Sequence, residues 1–209
     1  MATIIHSPIA SGLVRPGPVV VKPPFEFRAA TVINFDDVPD GTVIDTHYAA
    51  KGATFASVTT SPAKRWSTYA RSIWGIESAP NGVSLVPPPT LSLFDARQGG
   101  IEVTFDKAQR WVSIDAQPIL PPEYMTPPTA RPFLEAYDAK GKLLGRVYYP
   151  LPYGDAAYGS WQTLIYSSSV ANIVKVIFSS QYNGGTPVYA VFDQLAFCTT
   201  NSLLPHPLG

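Results

Sequence analysis

Val32-Ile33-Asn34-Phe35-Asp36-Asp37-Val38-Pro39-Asp40-Gly41-Thr42 opens as a β-rich run, reaches two adjacent carboxylates, and then turns. A second carboxylate-bearing stretch, Val188-Tyr189-Ala190-Val191-Phe192-Asp193-Gln194-Leu195-Ala196-Phe197, lies near the C-terminus. Between them almost every segment reads as a short strand or a turn. The two stretches are therefore expected to be the first and last core strands of one β-sandwich.

Working outward from the first stretch, Gly52 to Val58 alternates, and Asn81-Gly82 signals a turn before Val83 to Val86. Leu91 to Phe94 is followed by Gly99-Gly100 and then by Ile101-Glu102-Val103-Thr104-Phe105, a period-2 pattern that Trp111 to Asp115 repeats. Phe133 to Asp138 and Leu143 to Tyr149 flank Ala139-Lys140-Gly141-Lys142, which predicts a hairpin with a short glycine-containing loop. Trp161 to Tyr166, Ile173 to Phe178 and Val188 to Phe197 complete the set. No helix-length window carries a helical moment. About ten half-buried strands with turn punctuation specify an antiparallel sandwich or barrel. The segments 60–80, 117–131 and 150–160 read as long irregular loops.

The chain has 209 residues, enough to bury one sizeable core, and 45% of them are hydrophobic, which excludes a disordered chain. Fifteen basic residues balance fifteen acidic ones. That balance gives no basic stripe for a nucleic acid or a membrane surface. No apolar run reaches the ~18 residues of a membrane helix. Twenty-two prolines with eleven tyrosines and ten phenylalanines suit strands joined by shaped loops. The single cysteine, Cys198, has no partner for an intrachain disulfide and is expected to be a small buried hydrophobe.

Residues 1–30 differ from the rest. Five prolines (Pro8, Pro16, Pro18, Pro23, Pro24) surround Val19-Val20-Val21, which predicts an extended arm. Its apolar side chains favour a strap lying on this domain or a neighbouring subunit over a solvated leader. The sandwich is assigned to 31–198 and a C-terminal tail to 199–209. No basic n-region followed by an apolar h-region stands at the N-terminus, so no secretory signal is read.

Phe35-Asp36-Asp37-Val38-Pro39-Asp40-Gly41-Thr42, followed by Tyr48 and Gly52-Ala53-Thr54-Phe55, resembles the opening of bacterial surface and exported jelly-roll domains. Ile101 to Asp106, Leu134 to Gly145 and Val191 to Phe197 continue a pattern similar to galactose-binding-like domains and carbohydrate-binding modules. The resemblance implies a jelly roll over residues 31–198 and an extracellular or assembly-exterior location. It also implies a structural calcium held by Asp193 with Asp36 or Asp37 opposite, although Gln194 stands where such closing motifs carry a second carboxylate. Read from the residues alone, Asp36 and Asp37 equally serve as caps of the turn before Pro39, with Asp193 on a solvated face. In a straight strand the two aspartates would point to opposite faces, so a joint site needs a bend between them.

A glycan-binding face needs aromatic platforms beside hydrogen-bonding groups, and the candidates fall in the loops: Trp66, Tyr69, Trp74, Tyr124, Tyr153, Tyr158 and Tyr182. The same residue types suit a protein interface. Trp111 and Trp161 are expected in the core. The three histidines, His6, His47 and His206, are scattered, and no nucleophile elbow, metal-binding helix or phosphate loop is present. Glu102 and Glu135, on alternating strands, read as a solvated face rather than as a glycosidase pair. The expectation is a non-catalytic recognition module of the glycan-binding type. Its rival is a structural assembly subunit, of a virion or filament, that self-associates through residues 1–30.

Overall fold

The structure is a computed structural model and describes residues 30–58, 67–72, 81–84, 100–118, 131–150, 161–181 and 190–200. The arm, the tail beyond Thr200, and the candidates Trp66, Trp74, Tyr124, Tyr153, Tyr158 and Tyr182 lie outside the described residues. The described strands are β1 (Thr31–Ile33), β2 (Ala53–Val58), β3 (Tyr69–Arg71), β4 (Gly82–Ser84), β5 (Gly100–Gln109) and β6 (Trp111–Pro118). They continue with β7 (Arg131–Tyr137), β8 (Leu143–Tyr148), β9 (Gln162–Ser167), β10 (Ile173–Gln181) and β11 (Ala190–Cys198). One turn of 3-10 helix, Ala49–Lys51, is the only helical element among the described residues.

Two antiparallel sheets result. The first runs β3-β4-β11-β6-β9 with β1 also on β11, and the second runs β2-β5-β10-β7-β8. Strand β7 pairs with β8, β6 with β9, β5 with β10 and β4 with β11. The chain from β4 to β11 is thus one long hairpin rolled over on itself, which is the jelly roll. Its innermost turn is the predicted hairpin: Asp138 Oδ1 accepts the N–H groups of Lys140 and Lys142, and Gly141 takes the left-handed φ of +75°. Thr31, Val32 and Ile33 pair with Phe197, Ala196 and Leu195, so the first and last strands are direct neighbours.

Alternation fills the core. Ile101, Val103 and Phe105 of β5 point inward while Glu102 and Thr104 point out. Strand β11 cannot alternate so simply. Phe192, Leu195 and Phe197 all belong to the core, and Phe192 and Phe197 are an odd number of residues apart. A bulge resolves the conflict: Asp193 pairs with Asp115 and Ala196 with Ser113, so Gln194 and Leu195 together oppose Ile114. Gln194 adopts φ +48°, and its N–H donates to Asp193 Oδ1 at 2.7 Å. The two phenylalanines then reach across to the other sheet. Phe192 meets Phe178 at 4.9 Å between ring centroids, and Phe197 meets Phe105 at 4.8 Å.

Three expectations change. Strand β3 interrupts the 60–80 stretch expected to be irregular, so Tyr69 sits on a strand opposite Ser84 and not in a loop. Three residues are too few to show a period, and this strand is completed by backbone bonds from the opening segment, Gly41 and Thr42 with Ala70 and Ile44 with Thr68. Asp193 is fully buried (0% exposed) instead of solvated, because the bulge needs its carboxylate. Of the two tryptophans, Trp111 is buried, whereas Trp161 is half-buried. Cys198 is buried as expected.

The bulge is testable by equilibrium urea unfolding. Gln194→Gly should leave stability within about 1 kcal/mol, since relief of the left-handed strain offsets the added chain entropy. Gln194→Val should cost roughly 1–3 kcal/mol. Deleting Gln194 should be far worse, because a straight β11 turns one phenylalanine out of the core. A deletion variant as stable as the parent would refute the account.

Candidate functional site

Over β11 and β6 the first sheet is buried on both sides: Phe192 and Ile114 face the core, and Val191, Asp193, Trp111 and Ser113 on the opposite side are also buried. Across β5, β10, β7 and β8, by contrast, the outer side of the second sheet carries partly exposed polar and aromatic side chains. Register builds this face. Tyr148 and Arg146 of β8 lie beside Phe133 and Glu135 of β7, which lie beside Ser179 and Ile177 of β10. Ile177 and Lys175 then lie beside Glu102 and Thr104 of β5.

Glu135 is the hub. It was expected on a solvated face, yet it is only 6% exposed. Its Oε1 accepts Arg146 Nε at 2.7 Å as well as Arg146 Nη2, and its Oε2 accepts the Tyr137 hydroxyl at 2.7 Å. Arg146 also donates through Nη1 to the Tyr148 hydroxyl at 2.7 Å and lies 5.0 Å from the Phe133 ring centroid. Arg131 stacks over Tyr148 at 4.6 Å, and Lys175 lies over Tyr137 at 5.1 Å while pairing with Glu102 at 3.1 Å. The phenol of Tyr137 is pushed up to about 12, first by burial and then by the hydrogen bond to Glu135. The Arg146 guanidinium is pushed further up, chiefly by its bond to the Tyr148 hydroxyl. Tyr148 is the open member, 39% exposed. The result is a face of two tyrosine rings held at fixed angles by charged groups that already have partners.

The carboxylates of the opening stretch do something else. Phe35 takes φ +61°, a left-handed turn of the chain just before the two aspartates. Asp36 Oδ1 accepts the backbone N–H of buried Asn81 at 2.9 Å, and its Oδ2 accepts Asn34 Nδ2 at 3.0 Å. Asn81 in turn donates through Nδ2 to the Val38 carbonyl at 2.7 Å. Asp37 accepts the Tyr48 hydroxyl at 2.6 Å and Lys51 Nζ at 2.9 Å. The Tyr48 hydrogen bond, with help from Lys51, holds the Asp37 carboxyl below the usual carboxylate range. Burial, then the Asp37 bond, pushes the Tyr48 phenol up.

These aspartates do not fit a calcium ion as they stand. Calcium takes six to eight oxygens gathered around one point, whereas Asp36 and Asp37 serve separate donors and the Lys51 ammonium occupies one side of Asp37. The residue across from Asp193 is Asp115, and β1 ends at Ile33, opposite Leu195. No group of three or more His, Cys, Asp or Glu side chains among the described residues could hold a metal. Asp36 ties the opening segment to Asn34 and Asn81, and Asp37 ties it to Tyr48 and Lys51. Of the aromatic ligand candidates, only Tyr69 is described, half-buried on β3 and apart from the strands that build the tyrosine face. Sequence reading missed that face: the Asp138–Lys142 turn sets Tyr137 opposite Leu143, and a bulge between Ala136 and Tyr137, which the sequence does not announce, then shifts Glu135 opposite Arg146.

Fold and face together define a jelly-roll β-sandwich with one ordered polar and aromatic sheet surface. No family model and no curated protein sequence matches the chain. Among solved structures, a cleaved adhesin domain of Lys-gingipain from Porphyromonas gingivalis overlaps 82% of this chain and 99% of its own, at 10% identity and a TM-score of 0.35. A second cleaved adhesin domain of Lys-gingipain covers 81% of this chain and 99% of its own, at 12% identity and a TM-score of 0.36. A xylanase from Clostridium thermocellum with a carbohydrate-binding module covers 88% of this chain and 28% of its own, at 8% identity and a TM-score of 0.26. Overlaps this shallow carry no argument about ligand, and the function is argued from the face itself.

Two measurements check these assignments. Asp36→Ala should cost roughly 1–3 kcal/mol by stranding the buried Asn81 N–H, and the parent's melting temperature should not respond to a chelator; a drop on chelation would instead place a metal at this corner. On the face, Arg146→Ala should cost roughly 1–3 kcal/mol by leaving Glu135 unpaired, with Arg146→Lys recovering only part of it. Because the Tyr137 phenol is raised, its share of stability is intact below its ordinary value of 10.0 and is lost as pH climbs through about 12. Phenolate absorbance should show that late step, and Tyr137→Phe should remove it.

Proposed function

We propose that this protein is a non-catalytic recognition module that binds a glycan through the outer face of the second sheet, with Tyr148 and Tyr137 as its aromatic contacts. One observation carries the reading: the Glu135–Arg146 pair is sheltered on the solvent side of a sheet and locks both tyrosines. Ion pairs of this kind are poor investments for stability alone, since well-packed apolar residues serve as well or better. They do fix orientation. A glycan offers flat C–H faces that stack on aromatic rings and neighbouring hydroxyls that hydrogen-bond to carboxylate and guanidinium edges. Rings that are already immobile lose little freedom on binding, which favours affinity. His47, the only histidine among the described residues, packs edge-on against Tyr48 at 4.8 Å.

The test is a glycan array probed with the parent and with Tyr148→Ala. The parent should bind at least one family of glycans, and the variant's affinity should fall roughly tenfold or more, as for a central aromatic contact. Binding to no array member, or binding that survives the substitution, would reject the assignment.

A further inference from the structure

A separate cleft of about 300 Å³ opens where β1 and the end of β11 approach β5. Its volume is at the lower end for small-molecule sites and roughly ten times the ~30 Å³ a water occupies in the liquid. Thr31, Lys51, Gly52, Asp106, Lys107 and Gln109 are among its walls, and none of them belongs to the tyrosine face.

The cleft owes its walls to an irregularity in β5. Strand β5 breaks register here: Thr104 pairs with Lys175 but Gln109 pairs with Ile173, so Phe105 to Ala108 form an excursion. That excursion brings both Asp106 and Lys107 to the cleft, each exposed. The Asp106 backbone N–H is tied to the Gly52 carbonyl at 3.1 Å, and a Cβ at position 52 would lie 2.7 Å from Asp106 Oδ1. The glycine therefore leaves room for the carboxylate against the backbone. Gln109 is 2% exposed, and its Nε2 donates to the Lys107 carbonyl at 2.7 Å. Its Oε1 is buried with no hydrogen-bond partner, which is rare and needs a reason.

Charge selects the ligand class. An anion would meet Asp106, and a cation would meet Lys51 and Lys107. Lys51 is already balanced by Asp37 at 2.9 Å, so the cleft is close to neutral. A neutral molecule dense in hydroxyls can donate to Asp106 and accept from Lys107 and Lys51 at once. We infer that the cleft is a second binding site, for a single neutral sugar ring, built by the β5 excursion around Asp106, Lys107 and Gln109.

The test is an NMR titration of the full chain with millimolar glucose, galactose, mannose and N-acetylglucosamine, in parallel with glycine and inorganic phosphate. At least one sugar should give saturable shifts at the Gly52, Asp106 and Lys107 amides, and glycine and phosphate should give none. Asp106→Ala with Lys107→Ala, both at exposed positions, should abolish those shifts while leaving the rest of the spectrum unchanged. Tyr148→Ala should leave them intact, which separates this site from the tyrosine face. Silence from all four sugars, shifts that persist in the double variant, or a response to glycine or phosphate in place of sugar would each overturn the inference.

Discussion

Phe192 and Phe197 must enter the same core from one strand, and an extended strand cannot do that for residues an odd number apart. The bulge at Gln194 is the price of that requirement. It sets a left-handed residue in the middle of the last strand and buries Asp193 to hold it there. What is gained is a pair of ring contacts across the sandwich, Phe192 to Phe178 and Phe197 to Phe105. Each such pair contributes about 0.5–1.5 kcal/mol beyond its buried area. The strain of one non-glycine residue in the left-handed region is of similar size, roughly 1–2 kcal/mol. The balance is favourable only because two phenylalanines and Leu195 share the benefit.

The bulge also decides how one edge of β11 is divided. Before it, Phe192 pairs with Val83 of β4; after it, Leu195 to Phe197 pair with β1. Two short strands thus sit end to end on a single edge, and neither is long enough to hold its register alone. Asp36 supplies the clasp between them by accepting hydrogen bonds from Asn81, next to β4, and from Asn34, next to β1. Phe35 is driven into its left-handed conformation at the same place and is retained by edge contacts with Tyr48 and Phe55, at 5.8 and 5.9 Å between centroids. The two bonds of Asp36 thus lie where β11 changes partner from β4 to β1.

Much of this was legible in the chain. Period-2 alternation located the long strands, and Asp138 to Lys142 specified the hairpin. The opening and closing stretches were read as the first and last core strands, and they pair with each other. What escaped reading has physical reasons. Val191 to Phe197 is apolar on both parities, so alternation cannot reveal a bulge. Tyr69–Arg71 is shorter than any periodic signal and depends on partners from residues 41–44. Glu135 looked solvated because a carboxylate on an outward position normally is; it is covered by Tyr137 two residues along its own strand and by Arg146 of β8, which a one-strand view does not bring in. The loop aromatics, favoured because loops usually carry function, lie outside the described residues apart from Tyr69, while the described face is made of strands.

That difference bears on how such a face can work. A loop site can adapt to its ligand but loses freedom in doing so, whereas a sheet surface fixes side-chain spacing through the ladder itself. Here the ladder places Arg146 opposite Glu135 and Tyr148 opposite Phe133, and the guanidinium then bonds to both the carboxylate and the phenol. Rotating Tyr148 away would break its bond to Arg146 and the stacking of Arg131 on its ring. The rings are consequently restrained by bonds on the sheet side while Tyr148 stays open to solvent. Rigidity of this kind discriminates by shape: it favours a flat ligand that matches the two rings and penalises one that needs them to move.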